Sequence, residues 1–360
     1  MAATVYRRIV TAKKEEIGLA DKIQLSHGAG GTAMNDLIKS EIIANITCRK
    51  VGKGAGLDEF DDGATIPFPF GAGDVVVSSD AHTIDPIFFP GGDIGKLSVC
   101  GTVNDLAMMG AAPVAMTDTI VVEEGFSIGD LRTVIRSMNA SLELVGMALV
   151  HGDFKVMPKG KLDKIIISTA GIGSLEGRRP ILDSGLKSCD KIIVTGPIGD
   201  HGVVVASLRE GISFKTSLPS DVALLWELMK KAIGAGQVTA AKDPTRGGVS
   251  MALNEMAERS RVSIWLKEEE IPVREEVRGA SEMLGLDPLE LTCEGRAVMG
   301  VREGDLEGVL KAVRSTPEGR GAKVIGEVRA EKPGYVIMET SVGGKRVVNP
   351  PLGEPTPRIC

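Results

Sequence analysis

The sequence predicts a two-domain protein of mixed α and β structure, each half assembled from strand–glycine loop–helix units. Three observations carry that expectation. A chain of 360 residues exceeds what one ordinary core accommodates. Hydrophobic residues make up 43% and charged residues 25%, the balance of a folded globular chain; aromatics are only 3%, so aliphatic side chains and Met must fill both cores. The 45 glycines stand well above the ~7% of an average chain and point to tight turns and to backbone that approaches ligands closely.

The elements follow in order. "DVVVSSDAH" is apolar and β-branched and predicts a strand ending at Asp80. "LSVCGTVNDLAMMGA" follows a Gly-Gly turn, and its spacing suits a helix with buried small residues. "SIGDLRTVIRSMNASLELVGM" predicts an amphipathic helix with Leu131, Val134, Ile135, Met138, Leu142 and Val145 on one face. "ALVHGDFKV" and "KIIISTAGIGS" predict strands. The polar stretch "GSLEGRRPILDSGLKSCDK" marks a boundary, giving domains over 27–177 and 178–348, an extension over 1–26 and a tail over 349–360. The second unit opens with "DKIIVTGPIGDHG", a strand entering a Gly-rich loop. It continues through two helical stretches, "SDVALLWELMKKAIGA" and "GGVSMALNEMAERS". It closes with "EGVLKAVRS", "KVIGEV" and the hairpin "YVIMETSVGGKRVV", with Gly343-Gly344 as its two-residue turn.

Several function classes are excluded. A net charge of −6 without a basic tract argues against nucleic acid. No apolar run approaches the ~20 residues that cross a bilayer, and "KKEE" near the start is unlike a secretory signal, so a cytoplasmic location is expected. The cysteines at 48, 100, 189, 293 and 360 form no C-x-x-C pair, which excludes a zinc ribbon or thioredoxin-type motif. Four of them suit core positions. Cys360 instead stands at the end of a Pro-rich stub whose twelve residues reach roughly 40 Å at ~3.3–3.6 Å each, so its thiol can visit a distant site.

Candidate chemistry is spread along the chain. "PGGDIGKLS" lacks Walker spacing and is no P-loop. "HGAGGT", "PGGDIGK", "GPIGDHG" and "PTRGGV" can each present backbone N–H groups to anionic oxygens, or serve as plain turns. Asp61-Asp62, Asp80, Asp105 and Asp153 sit at strand ends or helix starts, where carboxylates suit Mg²⁺ and equally serve as caps. The histidines at 27, 82, 151 and 201 are too dispersed to predict a metal triad; His82 and His201 lie beside an Asp, in capping or supporting positions. Glu294 and Arg296 of "CEGR" are accounted for by an ion pair. These features together describe a nucleotide-dependent enzyme that modifies or uses its own tail.

The run "FFPGGDIGKLSVCGTVNDLAMMGA", with "GDFKV", "DPTRGGV", "LNEMA", "EGR" and the final "PRIC", closely resembles the HypE family of hydrogenase-maturation proteins, within the aminoimidazole-ribonucleotide synthetase superfamily. The likeness runs in order from about His27 to Cys360. It implies an α+β fold: an N-terminal α+β domain forming a shared β-barrel in a homodimer, a C-terminal α/β domain and a mobile tail. It also implies an activity. The terminal thiol receives a carbamoyl group from the carbamoyltransferase HypF, ATP drives dehydration of that group to a thiocyanate, and the HypC–HypD scaffold complex accepts the cyano group destined for the iron of [NiFe] hydrogenase.

The roles implied by the resemblance fall on particular residues. Cys360 is the carrier nucleophile, Glu294 the proton acceptor, and Lys155 a contact of the modified cysteine. Asp62, Asp80, Asp105 and Asp153 match Mg–ATP carboxylates. Gly28, Gly30, Gly31, Gly91, Gly92, Lys96 and Asn104 match nucleotide-binding positions, and Arg246 an anion-binding one. Phe154 departs from the usual Thr and removes a hydroxyl beside the metal region; Cys293 stands where Asn is common. A selenophosphate synthetase would carry its reactive Cys near the N-terminus in a Gly-rich loop, unlike Cys48 in "ANITCRKVG". A thiamine-phosphate kinase needs no "PRIC", and a carrier without catalysis needs no nucleotide loops.

Overall fold

The computed structural model describes residues 31–37, 39–40, 52–56, 58–67, 74–209, 211, 218–353 and 359–360. The expected extension over 1–26, together with Gly28 and Gly30, lies outside the described residues.

A short helix, α1 (Gly31–Leu37), precedes the first sheet. That sheet is built from β1 (Ala64–Pro67), β2 (Asp74–His82), β5 (Ala112–Glu123), β6 (Ala148–Met157) and β7 (Ile165–Ser174), with a small ribbon of β3 (Phe88–Phe89) and β4 (Gly92–Asp93) beside it. The order is β1-β2-β7-β5-β6. Neighbours are antiparallel except β5 and β6, which the helix between them joins by a crossover. Strand β2 runs two residues beyond the Asp80 that the sequence suggests, pairing to His82 against Ile167.

Two helices cover one face. α2 (Ile94–Met108) is capped by Asp93, whose carboxylate accepts the N–H groups of Gly95 at 2.7 Å and Lys96 at 3.0 Å. It is buried nearly all round, as expected of a helix between two layers. α3 (Ile128–Val145) is one-sided: Val134, Met138, Ser141 and Leu142 are buried, while Ile135 of the expected face remains exposed.

The second sheet has the order β14-β13-β10-β12-β8-β11-β9. Its strands are β8 (Lys191–Val194), β9 (Val238–Lys242), β10 (Ser263–Lys267), β11 (Val298–Val301), β12 (Lys323–Arg329), β13 (Val336–Glu339) and β14 (Lys345–Val347). Among the described residues only β10 and β13 pair in parallel. Its helices are α4 (Asp200–Arg209), α5 (Trp226–Ala235), α6 (Gly248–Ser260), α7 (Glu275–Leu284) and α8 (Leu306–Arg314). Two expectations change in detail. "SDVALLWELMKKAIGA" is helical only from Trp226, because Ser220–Leu225 divides its polar groups between two layers. In its own layer Asp221 accepts the Glu294 N–H at 3.1 Å, and toward the other Leu225 N–H donates to the Asn104 side chain at 2.8 Å. The β13–β14 connection spans 340–344 rather than a two-residue turn, closed by Thr340 N–H to the Gly344 carbonyl and Gly343 N–H to the Thr340 carbonyl, both 2.8 Å.

One apolar core runs through both halves, joining Val76, Leu97 and Met116 to Ile193, Leu225 and Met229. Ile359 belongs to the same core. A second core lies wholly within the C-terminal layer. No described helix is long and apolar enough to cross a membrane.

Candidate active site

The interdomain packing brings distant carboxylates to one cleft of about 380 Å³. Asp80 comes from the end of β2, Asp105 from the last turn of α2, and Asp243 from the residue after β9. Glu294 comes from the loop before β11, and Asp61 and Asp62 from the approach to β1. Gly101 makes the closest approach possible. A Cβ there would lie 2.8 Å from Nε2 of His82 and 2.9 Å from Oδ2 of Asp80, so only glycine lets α2 carry Asp105 up beside β2. The Ser78 hydroxyl donates to Asp105 Oδ2.

The electrostatics are those of acid crowding. Burial raises the Asp105 carboxyl well above its ordinary range, and Asp243, Asp80 and Asp62 raise it further. Burial, with the charge of Asp243 and Asp61, pushes Asp62 up to about 7 against the pull of Lys242. Burial likewise brings Asp243 to about 6 and, with Asp183, brings Asp61 to about 6. Glu294 rises well above its usual value through burial and then through Asp243, Asp221 and Asp80. Asp80 goes the other way. Burial alone would raise it, but His82, with Nε2 at 3.1 Å, and Arg246, with Nη2 at 3.3 Å, hold it below the usual carboxylate range. Two buried oxygens in the cleft, Asp62 Oδ2 and Glu294 Oε1, find no hydrogen-bond partner among the described residues.

Lys242 organises one flank. Its ammonium touches Asp62 Oδ1 and lies 3.2 Å from Asp183 Oδ2 and 3.4 Å from Glu255 Oε2. Asp61, Asp62 and Asp183 each place an oxygen within 4.8 Å of the others, a spacing that three carboxylates tolerate only around positive charge.

Cys360 lines this same cleft. Its main-chain oxygen accepts the Thr83 N–H at 3.1 Å, and Ile359 is 2% exposed. Desolvation works against the Arg246 charge, yet Cys360, Asp80 and Asp105 together raise its pKa. Cys360 is thus docked in the acidic cleft, in electrostatic contact with Arg246.

The remaining candidates divide. Gly31 lines the cleft, as do Asp62, Asp80, Asp105, Arg246 and Glu294. Gly91, Gly92 and Lys96 do not. Gly91 (φ +98°) is pressed against the chain at Ser220, where an added Cβ would lie 2.8 Å from the Ser220 carbonyl, and Lys96 Nζ donates to the Gly91 carbonyl at 3.0 Å. Asn104 rivets the two layers, its amide donating to the carbonyls of Ala223 at 3.0 Å and Glu294 at 3.3 Å. Asp153 and Lys155 stand on the exposed strand β6. Sequence reasoning missed Asp243, Lys242 and Asp183. For the first two a signal existed, because "KDPTRGG" places both at the junction of an apolar strand and a Gly-rich loop.

The AIR synthase related protein N-terminal domain family matches residues 60–175, and the corresponding C-terminal domain family matches 190–339. The carbamoyl dehydratase HypE of Azotobacter vinelandii is 41% identical across 94% of this chain and 97% of its own length. The chain belongs to the HypE family. Among solved structures, HypE in a HypE–HypF complex superposes with a TM-score of 0.80 at 38% identity, covering 87% of this chain and 99% of that one. HypE in complex with ATP superposes with a TM-score of 0.78 at 36% identity, covering 94% and 100%. In HypE terms, the two layers described above are the two AIR synthase related domains, and the acidic cleft lies between them.

Proposed function

We infer that this chain performs the ATP-dependent dehydration of an S-carbamoyl group on Cys360 to a thiocyanate, the step that supplies cyanide ligands for the iron of [NiFe] hydrogenase. The observation that carries this reading is the docking of Cys360 into the cleft that holds Glu294, Arg246 and the carboxylates. The relative solved with ATP supports nucleotide binding here, and the relative solved with HypF supports HypF as the donor. The HypC–HypD complex is the proposed acceptor.

The chemistry suits these residues. A thiocarboxamide must lose its oxygen and both nitrogen protons to become a nitrile, and an amide oxygen is a poor leaving group. When bound, Mg–ATP supplies the phosphoryl group that lets this oxygen depart as phosphate. Hard carboxylate oxygens are the donors that Mg²⁺ prefers, and the raised carboxyls and partnerless Asp62 Oδ2 fit a divalent cation. Asp62, Asp80, Asp105 and Asp243 would hold it. Arg246 orients anionic oxygen beside the thiol. Glu294, whose carboxyl is raised well above its usual value by burial and then by Asp243, Asp221 and Asp80, is the proposed acceptor of a proton from nitrogen. The burial of Glu294, 2% exposed, keeps bulk water from competing.

Asp153 and Lys155 join this reading through a second copy of the chain. Strand β6 is an edge of its sheet, exposed at every residue. Beyond the irregularity at Val150, side chains alternate along the strand, so Phe154 and Val156 share one face while Asp153 and Lys155 share the other. An exposed apolar edge strand invites another chain, and pairing there to close a barrel would carry Asp153 and Lys155 toward the partner's nucleotide. Phe154, in place of the family's usual Thr, adds apolar surface to this edge.

The test uses intact protein carbamoylated on Cys360 and weighed before and after Mg–ATP. Loss of one water confined to the Cys360 peptide establishes the reaction. An unchanged carbamoyl mass with ATP bound limits the chain to carrying the group.

A further inference from the structure

We propose that His201 is a positioning residue that clasps the tail and registers the Cys360 thiol in the cleft. The proposal rests on the reading that Cys360 carries the reacting group, but its main observation is independent of that chemistry. His201 lies in the first turn of α4, fully buried. Its Nε2 is 2.8 Å from the Ile359 carbonyl, one residue before the thiol. Its Nδ1 is 2.7 Å from the Ser220 hydroxyl.

The neighbours decide which nitrogen carries the proton. A carbonyl oxygen can only accept, so Nε2 must be the donor toward Ile359. Nδ1 of the neutral ring then accepts the Ser220 hydroxyl proton, and the Ser220 oxygen itself accepts the Val222 N–H at 3.1 Å. The Phe89 ring meets the imidazole edge-on, with centroids 5.3 Å apart and planes at 87°, which fixes the ring's orientation. Ser220 is in turn held by its N–H to the Pro90 carbonyl at 2.7 Å, at the tight turn where Gly91 leaves no room for a side chain. The Pro90–Gly91 turn therefore orients Ser220, Ser220 sets the tautomer of His201, and His201 grips the tail.

A second grip comes from the other domain, where Thr83 N–H donates to a main-chain carboxylate oxygen of Cys360 at 3.1 Å. Both grips hold main-chain atoms rather than the sulfur. They must also be reversible, because the thiol has to leave to be loaded. A lone hydrogen bond from a neutral imidazole fits that need. A charged clasp would bind more strongly and release more slowly.

The experiment compares His201→Leu, His201→Gln and Ser220→Ala with the native full-length protein. It reads the rate of N-ethylmaleimide labelling at the Cys360 peptide, single-turnover dehydration of carbamoylated protein, and ATP affinity. His201→Leu should raise labelling and lower dehydration, each about tenfold, the weight of one net hydrogen bond, with ATP affinity unchanged. His201→Gln, which keeps an N–H donor, should recover both. Ser220→Ala, which frees the tautomer with little loss of volume, should move both rates in the same direction as Leu but less. Native labelling and turnover in folded His201→Leu would overturn the proposal, as would a Gln variant as impaired as Leu. If His201→Leu does not fold, native rates in Ser220→Ala overturn it instead. If the native protein fails to dehydrate its carbamoyl group, the labelling rates alone still decide the clasp.

Discussion

Lys155 Nζ lies 2.9 Å from Asp153 Oδ2 on a strand exposed along its whole length. With so much water around it, that pair contributes little to stability. Its place at the sheet edge, beside Phe154 and Val156, is what matters. Val156→Asp should leave the monomer folded, abolish association in light scattering, and abolish dehydration with it. Mixing that chain's active-site-intact form with Lys155→Ala protein should not restore activity, whereas mixing Lys155→Ala with Glu294→Gln should restore part of it if each site is completed by its partner.

Cys360→Ala should keep Mg–ATP affinity within error while eliminating the thiocyanate product. Calorimetric titration and product mass spectrometry check the two halves. Loss of ATP binding in this variant would make the tail a structural element and sink its carrier role.

Glu294→Gln preserves the shape of the site and removes the titrating oxygen. Single-turnover dehydration should fall by about 10²–10⁴-fold, the usual weight of a general base. Nucleotide affinity should hold, because the fold at this position depends on the main chain: Glu294 N–H donates to Asp221 Oδ1 at 3.1 Å.

Lys242→Met should be costly. It strands Asp62, Asp183 and Glu255 around an empty centre, and breaking a buried pair costs about 3–5 kcal/mol. Chemical denaturation measures it. A loss under 1 kcal/mol would mean that water reaches this cluster freely.

The carboxyl pKa values also set a pH dependence. Burial and mutual repulsion hold Asp61 and Asp243 at about 6 and Asp62 at about 7, against an ordinary 3.8. Over that interval the folded chain binds more protons than the unfolded one, so stability is greatest below the ordinary value and falls as pH rises toward 7. In chelator, the melting temperature should be lower at about pH 8 than at about pH 5.5, and Mg²⁺ should restore more of it at the higher pH. Equal melting temperatures at both pH values would show the carboxyls to be unperturbed.

The secondary structure was largely legible because the segments are short and strongly patterned. "KIIISTAGIGS" alternates and becomes β7, and "GGVSMALNEMAERS" keeps a helical period and becomes α6. The site was legible only in part. Position alone leaves Asp80 and Asp105 between Mg²⁺ ligand and cap, and Glu294 in an ion pair; only the family resemblance joins them in one site, since nothing local to them says that they meet. Asp243 was hidden for the same reason that it matters: an Asp at a strand end reads as a turn former, and only the packing of one domain on the other aims it at Asp105. Gly91 and Gly92 looked like phosphate ligands because a glycine pressed against backbone and a glycine open to an anion share one sequence signature. The structure presses Gly91 against Ser220.

The burial of Ile359 in the core shared by both domains gives the tail a thermal character. Any departure of the tail would wet an isoleucine side chain, and apolar hydration carries a positive heat capacity. Hydrophobic attachment weakens on cooling, so if the tail exchanges between docked and presented positions, chilling would favour the presented thiol and warming the docked one. An organism's growth temperature would then tune how the chain divides its time between meeting its donor and performing its own chemistry.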